Sequence, residues 1–131
     1  MPLVLVTLFI VSLLPILLAG LSHYFRAQMF GRVDNAQPRA QQAQLTGAGA
    51  RVVAAQQNAW ESLVVYTVAI FIAHAAGVDL HELTVPALLF VGFRLLHALF
   101  YVLDRSTLRS LAFSGGMGCC VYIFVVAVQA A

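Results

Sequence analysis

The chain contains no lysine, five acidic residues and two cysteines in 131 positions. Only 9% of its residues are charged, against about a quarter in soluble domains, and this scarcity excludes an ordinary water-facing globule. Seven arginines leave a formal charge of +2 without forming a polybasic run, so the electrostatics of nucleic-acid binding are missing. Cys119 and Cys120 are adjacent within an apolar segment, whereas disulfide frameworks and metal sites need spaced ligands. They read as small packing residues. No internal repeat or low-complexity tract breaks the chain.

What fills the chain instead is apolar: 62% hydrophobic residues and a mean hydropathy of +0.92 mark a membrane protein. At about 20 residues per crossing, the length accommodates four spans and leaves no room for a separate soluble domain. The spans are expected at about 3–21, 52–76, 83–103 and 110–130, joined up-down-up-down as one all-α, integral membrane four-helix bundle over residues 1–131. The first lacks a basic n-region and is followed by further spans, so it reads as a retained helix rather than a signal peptide.

Six arginines, Arg26, Arg32, Arg39, Arg51, Arg105 and Arg109, flank or occupy the first and third connections, while the second holds Asp79, His81 and Glu82 and no arginine. The positive-inside rule then places connections one (about 23–50) and three in the cytoplasm and both termini outside. The first connection collects Gly31, Asp34, Asn35, Pro38, Gly47 and Gly49, with Gln41, Gln42 and Gln44 between them. A connection this long in a compact protein is functional or disordered.

Polar residues recur inside the spans at helical spacing. On the second, Arg51, Ala54, Ala55, Asn58 and Glu61 fall within about 120° at 100° per residue. On the third, Arg94, His97 and Tyr101 follow i, i+3, i+7, and Arg109 and Ser110 open the fourth. A charge at membrane depth costs at least about 2.5 to 3.5 kcal/mol, so such residues pair, line a cavity or carry function. Glu61 and Arg94, of opposite sign, suggest an ion pair. The set as a whole suits a small anionic or zwitterionic ligand, because guanidinium forks hold carboxylates and a glutamate can hold an ammonium. A guanidinium beside a thiol also favours the reactive thiolate. The plainer alternative is that Glu61 and Arg94 lock two helices, with Asn58 and His97 as interhelical hydrogen bonds. Such bonds are worth only about 0.6 to 2 kcal/mol in membranes. Small residues at Ser114, Gly115, Gly116 and Gly118 suit close contact with a neighbouring helix or subunit.

Arg51 to Glu61 (RVVAAQQNAWE) and Arg94 to Ser110 (RLLHALFYVLDRSTLRS) together resemble the MAPEG family, the membrane-associated proteins of eicosanoid and glutathione metabolism. The order Arg, then Asn-x-x-Glu, then Arg-x-x-His-x-x-x-Tyr, then Arg-Ser carries the resemblance, which extends over nearly the whole chain. It implies a homotrimer in a bacterial inner membrane, with glutathione as co-substrate bound between subunits near the cytoplasmic face. By the same resemblance, Arg51, Asn58, Glu61, Arg94, His97 and Tyr101 bind the tripeptide, with Arg94 partnering the glutamate, and Arg109 and Ser110 act at its sulfur. The implied activity is that of a glutathione transferase or glutathione-dependent peroxidase toward hydrophobic electrophiles dissolved in the lipid, with no metal and no nucleic acid. The chain departs from the family pattern at Ala54, Gln56, Gln57, Val64 and Phe113, and fewer arginines mean weaker carboxylate clamping. Two other readings remain at this stage: a non-catalytic membrane module that binds or assembles through the same cluster, and a small proton-coupled exporter. The exporter is disfavoured because the first span is uncharged and the arginine bias selects a single orientation.

Overall fold

The computed structural model describes residues 1–131. Helix accounts for 82% of the chain and there is no strand, so the backbone satisfies its polar groups within helices, as a lipid environment requires. The elements are α1 (Leu3–Phe30), α2 (Pro38–Ala43), α3 (Gly47–Ala75), α4 (Thr84–Val102) and α5 (Ser106–Ala130). Three of them, α1, α4 and α5, are long and apolar enough to cross a membrane. At 29 residues α3 has the length, but Arg51, Gln56, Gln57, Asn58 and Glu61 dilute its N-terminal half.

Two helix starts and one helix end differ from expectation. The first helix does not stop near Leu21 but runs to Phe30, because residues 22–30 hold neither glycine nor proline. It closes at Gly31, whose left-handed backbone (φ 72°) lets its N–H bond Ala27 O at 2.9 Å, an end that favours glycine. The third helix begins at Gly47 rather than Val52, and the fifth at Ser106 rather than Ser110. Arg51, Arg109 and Ser110 therefore stand inside helices instead of opening them.

The first connection is ordered. Pro38 starts α2, where its missing N–H costs nothing. Gln41 holds the preceding loop with both ends of its amide, donating to Arg32 O and accepting from Asp34 N, each at 2.9 Å. Gln42 reaches Ser22 on α1 at 3.2 Å. Asp34 Oδ1 accepts the backbone N–H groups of Ala36 (2.8 Å) and Gln37 (3.1 Å), and these bonds, that of Gln37 foremost, hold the carboxyl below its ordinary value of 3.8.

Among the long helices, α3 and α4 each touch the other three, while α1 and α5 do not touch one another. Paired residues show antiparallel neighbours: Thr7 with Tyr66, Arg51 with Val102, and Tyr101 with Arg109. One end of the molecule gathers Arg26, Arg32, Arg39, Arg51, Arg105 and Arg109, and the other the turn with Asp79 and Glu82.

The buried side chains form two apolar clusters. The larger, toward the acidic turn, is built on Val4, Tyr66, Ile70, Phe90 and Ile123. The smaller, toward the arginine-rich end, holds Leu14, Leu18, Val52, Ala55, Ala59 and Ala98. Cys119 and Cys120 are buried free thiols in the larger one. Glycines of α5 let α4 come close: a Cβ at Gly115 would lie 2.6 Å from the Phe93 ring. Much of the outer surface is large apolar side chains, among them Phe9, Leu17, Phe71, Leu89, Leu111 and Val128, which suits contact with lipid.

Candidate functional site

Arg94, midway along α4, is buried in the helical packing, 1% exposed. The expected ion pair with Glu61 is not formed. Arg94 Nη2 donates instead to Asn58 Oδ1 at 2.7 Å, with Asn58 O at 3.5 Å and His97 Nδ1 at 3.4 Å. Its Nε and Nη1 have no partner.

Helix geometry explains the exchange. The buried face of α3 runs through Val52, Ala55, Ala59, Ser62, Tyr66 and Ala69, and at 100° per residue Glu61 lies about 130° from its centre, against about 70° for Asn58. A sector broad enough to include both residues had merged two faces of one helix. Glu61 is accordingly exposed, and with Arg39, Val53, Gln56, Gln57 and Trp60 it lines a separate hollow of about 310 Å³ on the outer side of α3.

Five of the eight expected residues do converge. Asn58 from α3, His97 and Tyr101 from α4, and Arg109 and Ser110 from α5 line one cavity of about 320 Å³, together with Phe113 and Ser114. Arg109 is half-buried with its Cζ 4.4 Å above the centre of the Tyr101 ring. Tyr101 in turn meets the His97 ring edge-on at 5.5 Å. The guanidinium is thus held over the ring by a cation–π contact, and no hydrogen bond within the chain occupies its N–H groups. No acidic side chain lines the cavity. Its polar groups are one permanent cation and side chains that can donate hydrogen bonds, an arrangement suited to an anionic ligand.

Arg51 and Arg94 serve the frame around this cavity. Arg51 Nε donates to Val102 O at 3.3 Å, one of the carbonyls that the last turn of α4 leaves without a helical partner. Arg94 lies behind Asn58 and His97 rather than on the lining.

Sequence reasoning placed Arg26 among the arginines of the first connection and missed its burial: it is 1% exposed, near the end of α1. Its one contact is a 3.5 Å bond from Nη1 to Pro38 O, and its Nε is unpartnered. The signal was the stripe Val11, Leu14, Leu18, Ser22, Arg26, which continues the buried face of α1 past Leu21.

An all-helical protein with three span-like helices and an open polar hollow lined from α3, α4 and α5 has the make-up of an integral membrane protein. The MAPEG family model matches residues 3–129, and the chain belongs to that family. No curated relative and no solved structure matches it.

Proposed function

We infer that the protein uses glutathione as co-substrate, as a transferase or a glutathione-dependent peroxidase acting on hydrophobic electrophiles dissolved in the membrane. The observation that carries this reading is the convergence of Asn58, His97, Tyr101, Arg109 and Ser110 on one acid-free cavity at the arginine-rich end, in a chain of the MAPEG family. In this reading Arg109 stabilises the thiolate and Ser110 donates a hydrogen bond to it. The sulfur then attacks an electrophile that arrives sideways from the lipid.

The full reading includes α3 as a fourth span, which makes a four-helix bundle, and the arginine-rich end in the cytoplasm of a bacterial inner membrane, because arginines bias connections inward. It also includes a homotrimer. Glutathione carries two carboxylates and one ammonium, and the cavity of one chain supplies a single arginine to hold them. The outward hollow with Arg39, Gln56, Gln57 and Glu61 offers the complementary groups, and a neighbouring copy would bring it to bear.

The alternative is a membrane module that binds or assembles without catalysis. It is favoured by Arg94, whose bond to Asn58 joins α4 to α3 in the manner of an interhelical lock, while its contact with His97 stays within α4. A thermal-shift titration of the detergent-purified protein with glutathione and S-hexylglutathione, beside Arg109→Ala, separates the two. At a hundred times the dissociation constant, linkage predicts about 2.7 kcal/mol of stabilisation; at equal ligand concentration the shift should be greater for the hexyl conjugate and diminished in Arg109→Ala. A flat response in the wild type would remove the thiol-peptide reading and leave the module.

A further inference from the structure

Arginine is the one side chain whose hydrogen bonds run in a single direction at any working pH: it has five donors, no acceptor and no accessible neutral form. Any group bonded to it must therefore present an acceptor. Asn58 presents Oδ1 to Arg94 at 2.7 Å, and His97 presents Nδ1 at 3.4 Å. Both residues line the cavity, whereas Arg94 does not.

The amide and the imidazole are ambivalent groups, and fixing one end of each fixes the other. With Oδ1 turned to the guanidinium, the remaining polar group of Asn58 is its Nδ2 amide. With the Nδ1 lone pair occupied, the proton of neutral His97 sits on Nε2. Neither Asn58 Nδ2 nor His97 Nε2 has a partner elsewhere in the chain. Tyr101 and Phe113 meet the His97 ring through their aromatic faces and edges, at centroid distances of 5.5 and 6.2 Å.

We propose that Arg94 is a positioning residue that sets the hydrogen-bond polarity of the cavity: it makes Asn58 and His97 donors, so that this wall takes carboxylate or carbonyl oxygens of a ligand and rejects ammonium groups. Glu61, the residue that could have reversed that polarity, faces away on the other side of α3. The cost of the arrangement argues for it. An interhelical hydrogen bond contributes little in a membrane, less than the cost of burying a guanidinium with two nitrogens unpaired. A neutral glutamine could bridge the same helices, but its amide could turn and would leave the polarity open.

The proposal rests on reading the cavity as the ligand site, and its first test needs no ligand. In protein labelled with ¹⁵N-histidine and held in detergent at alkaline pH, long-range ¹H–¹⁵N correlation reads the tautomer of each imidazole, with His97 assigned by its loss in His97→Gln. The expected wild-type signal is protonated Nε2 and bare Nδ1, and Arg94→Met should shift it to a mixture while Arg94→Lys partly restores it. A wild-type ring protonated at Nδ1 would overturn the proposal even if Arg94→Met failed to fold, and so would an unchanged tautomer in a folded Arg94→Met. The second test is Asn58→Asp, which keeps an oxygen for Arg94 but removes the donor. It should melt at or above the wild-type temperature yet bind glutathione about tenfold or more weakly, from loss of a hydrogen bond to a charged group. Unchanged glutathione affinity would sink the donor role. If the wild type itself ignores glutathione, the proposed function falls, while the tautomer measurement still decides the polarity of the wall.

Discussion

Two buried polar groupings lie at different depths in the same helical packing, and they are finished differently. Toward the acidic turn, Tyr66 OH lies 2.8 Å from Thr7 Oγ1, which also bonds Val4 O at 2.7 Å. Because Thr7 has one proton and directs it to the carbonyl, Tyr66 must be the donor in their bond. The Tyr66 ring stacks on Phe90 at 4.0 Å and 15°, so both hydroxyls are satisfied and the level is closed. Toward the arginine-rich end, Arg94 keeps two nitrogens without partners, and its neighbours Asn58 and His97 border an open cavity. Polar residues at membrane depth are thus not one signal: a closed grouping satisfies itself between helices, and an open one leaves donors unpaired beside a hollow.

The closed level should bear the largest mechanical effect. Phe90→Ala removes a ring that is 0% exposed and the stacking partner of Tyr66, and a core substitution of that kind costs about 3 to 5 kcal/mol. Thermal unfolding in detergent should show a large drop in melting temperature. A loss within the range of surface substitutions would mean that this level is not the core.

Gly115→Ala probes the seam between the two levels. The new methyl meets the Phe93 ring at 2.6 Å, and overpacking typically costs about 1 to 3 kcal/mol. Gly118→Ala, with nothing within 4 Å of its Cβ position, serves as the control and should melt like the wild type. Equal melting of the two variants would show that α4 and α5 separate more readily than their packing indicates.

Glu61→Gln sharpens the open level. Glu61 is exposed and outside the Arg94 cluster, so its neutralisation should change stability by no more than about 0.5 kcal/mol. A drop of several kcal/mol in the same melting assay would instead restore the ion pair expected from sequence.

The smallest effect belongs to the ordered first connection. Asp34, bonded to the N–H groups of Gln37 and Ala36, has its carboxyl held below 3.8 in the fold. A lowered folded-state value means a contribution present above the ordinary carboxylate value and lost as pH falls through the folded one. It should be slight, since the group faces solvent. Carboxyl-carbon NMR should give a midpoint below 3.8. A midpoint at or above it would mean that the loop does not hold its turn in solution.

Much of the site was legible because helical periodicity survives in one dimension. Asn58 on α3, His97 and Tyr101 at i, i+4, and Arg109 with Ser110 were each picked out by type and spacing, and they do share a cavity. Glu61 was misassigned to the Arg94 cluster because a helical wheel gives angles between residues and not the direction of the buried face. Only neighbouring helices supply that direction, through Val52, Ala59 and Tyr66. Helix starts were misjudged in two ways: at α3 the glycines Gly47 and Gly49, read as part of the connection, lie inside the helix, and at α5 neither glycine nor proline stands at the junction. There α5 takes up Ser106 two residues after Asp104, which turns the chain at a positive φ of 59° without a glycine.

By itself the sequence determined that this is an all-helical membrane chain of the MAPEG family, since composition, span-length apolar runs and ordered polar motifs are properties of the chain read in one dimension. The partners of those polar residues were decided only by the tertiary structure. Whether Arg94 meets Glu61 or Asn58 depends on how α3 is rotated against α4, and the packing of side chains such as Tyr66 on Phe90 sets that rotation. No spacing along a single helix encodes it.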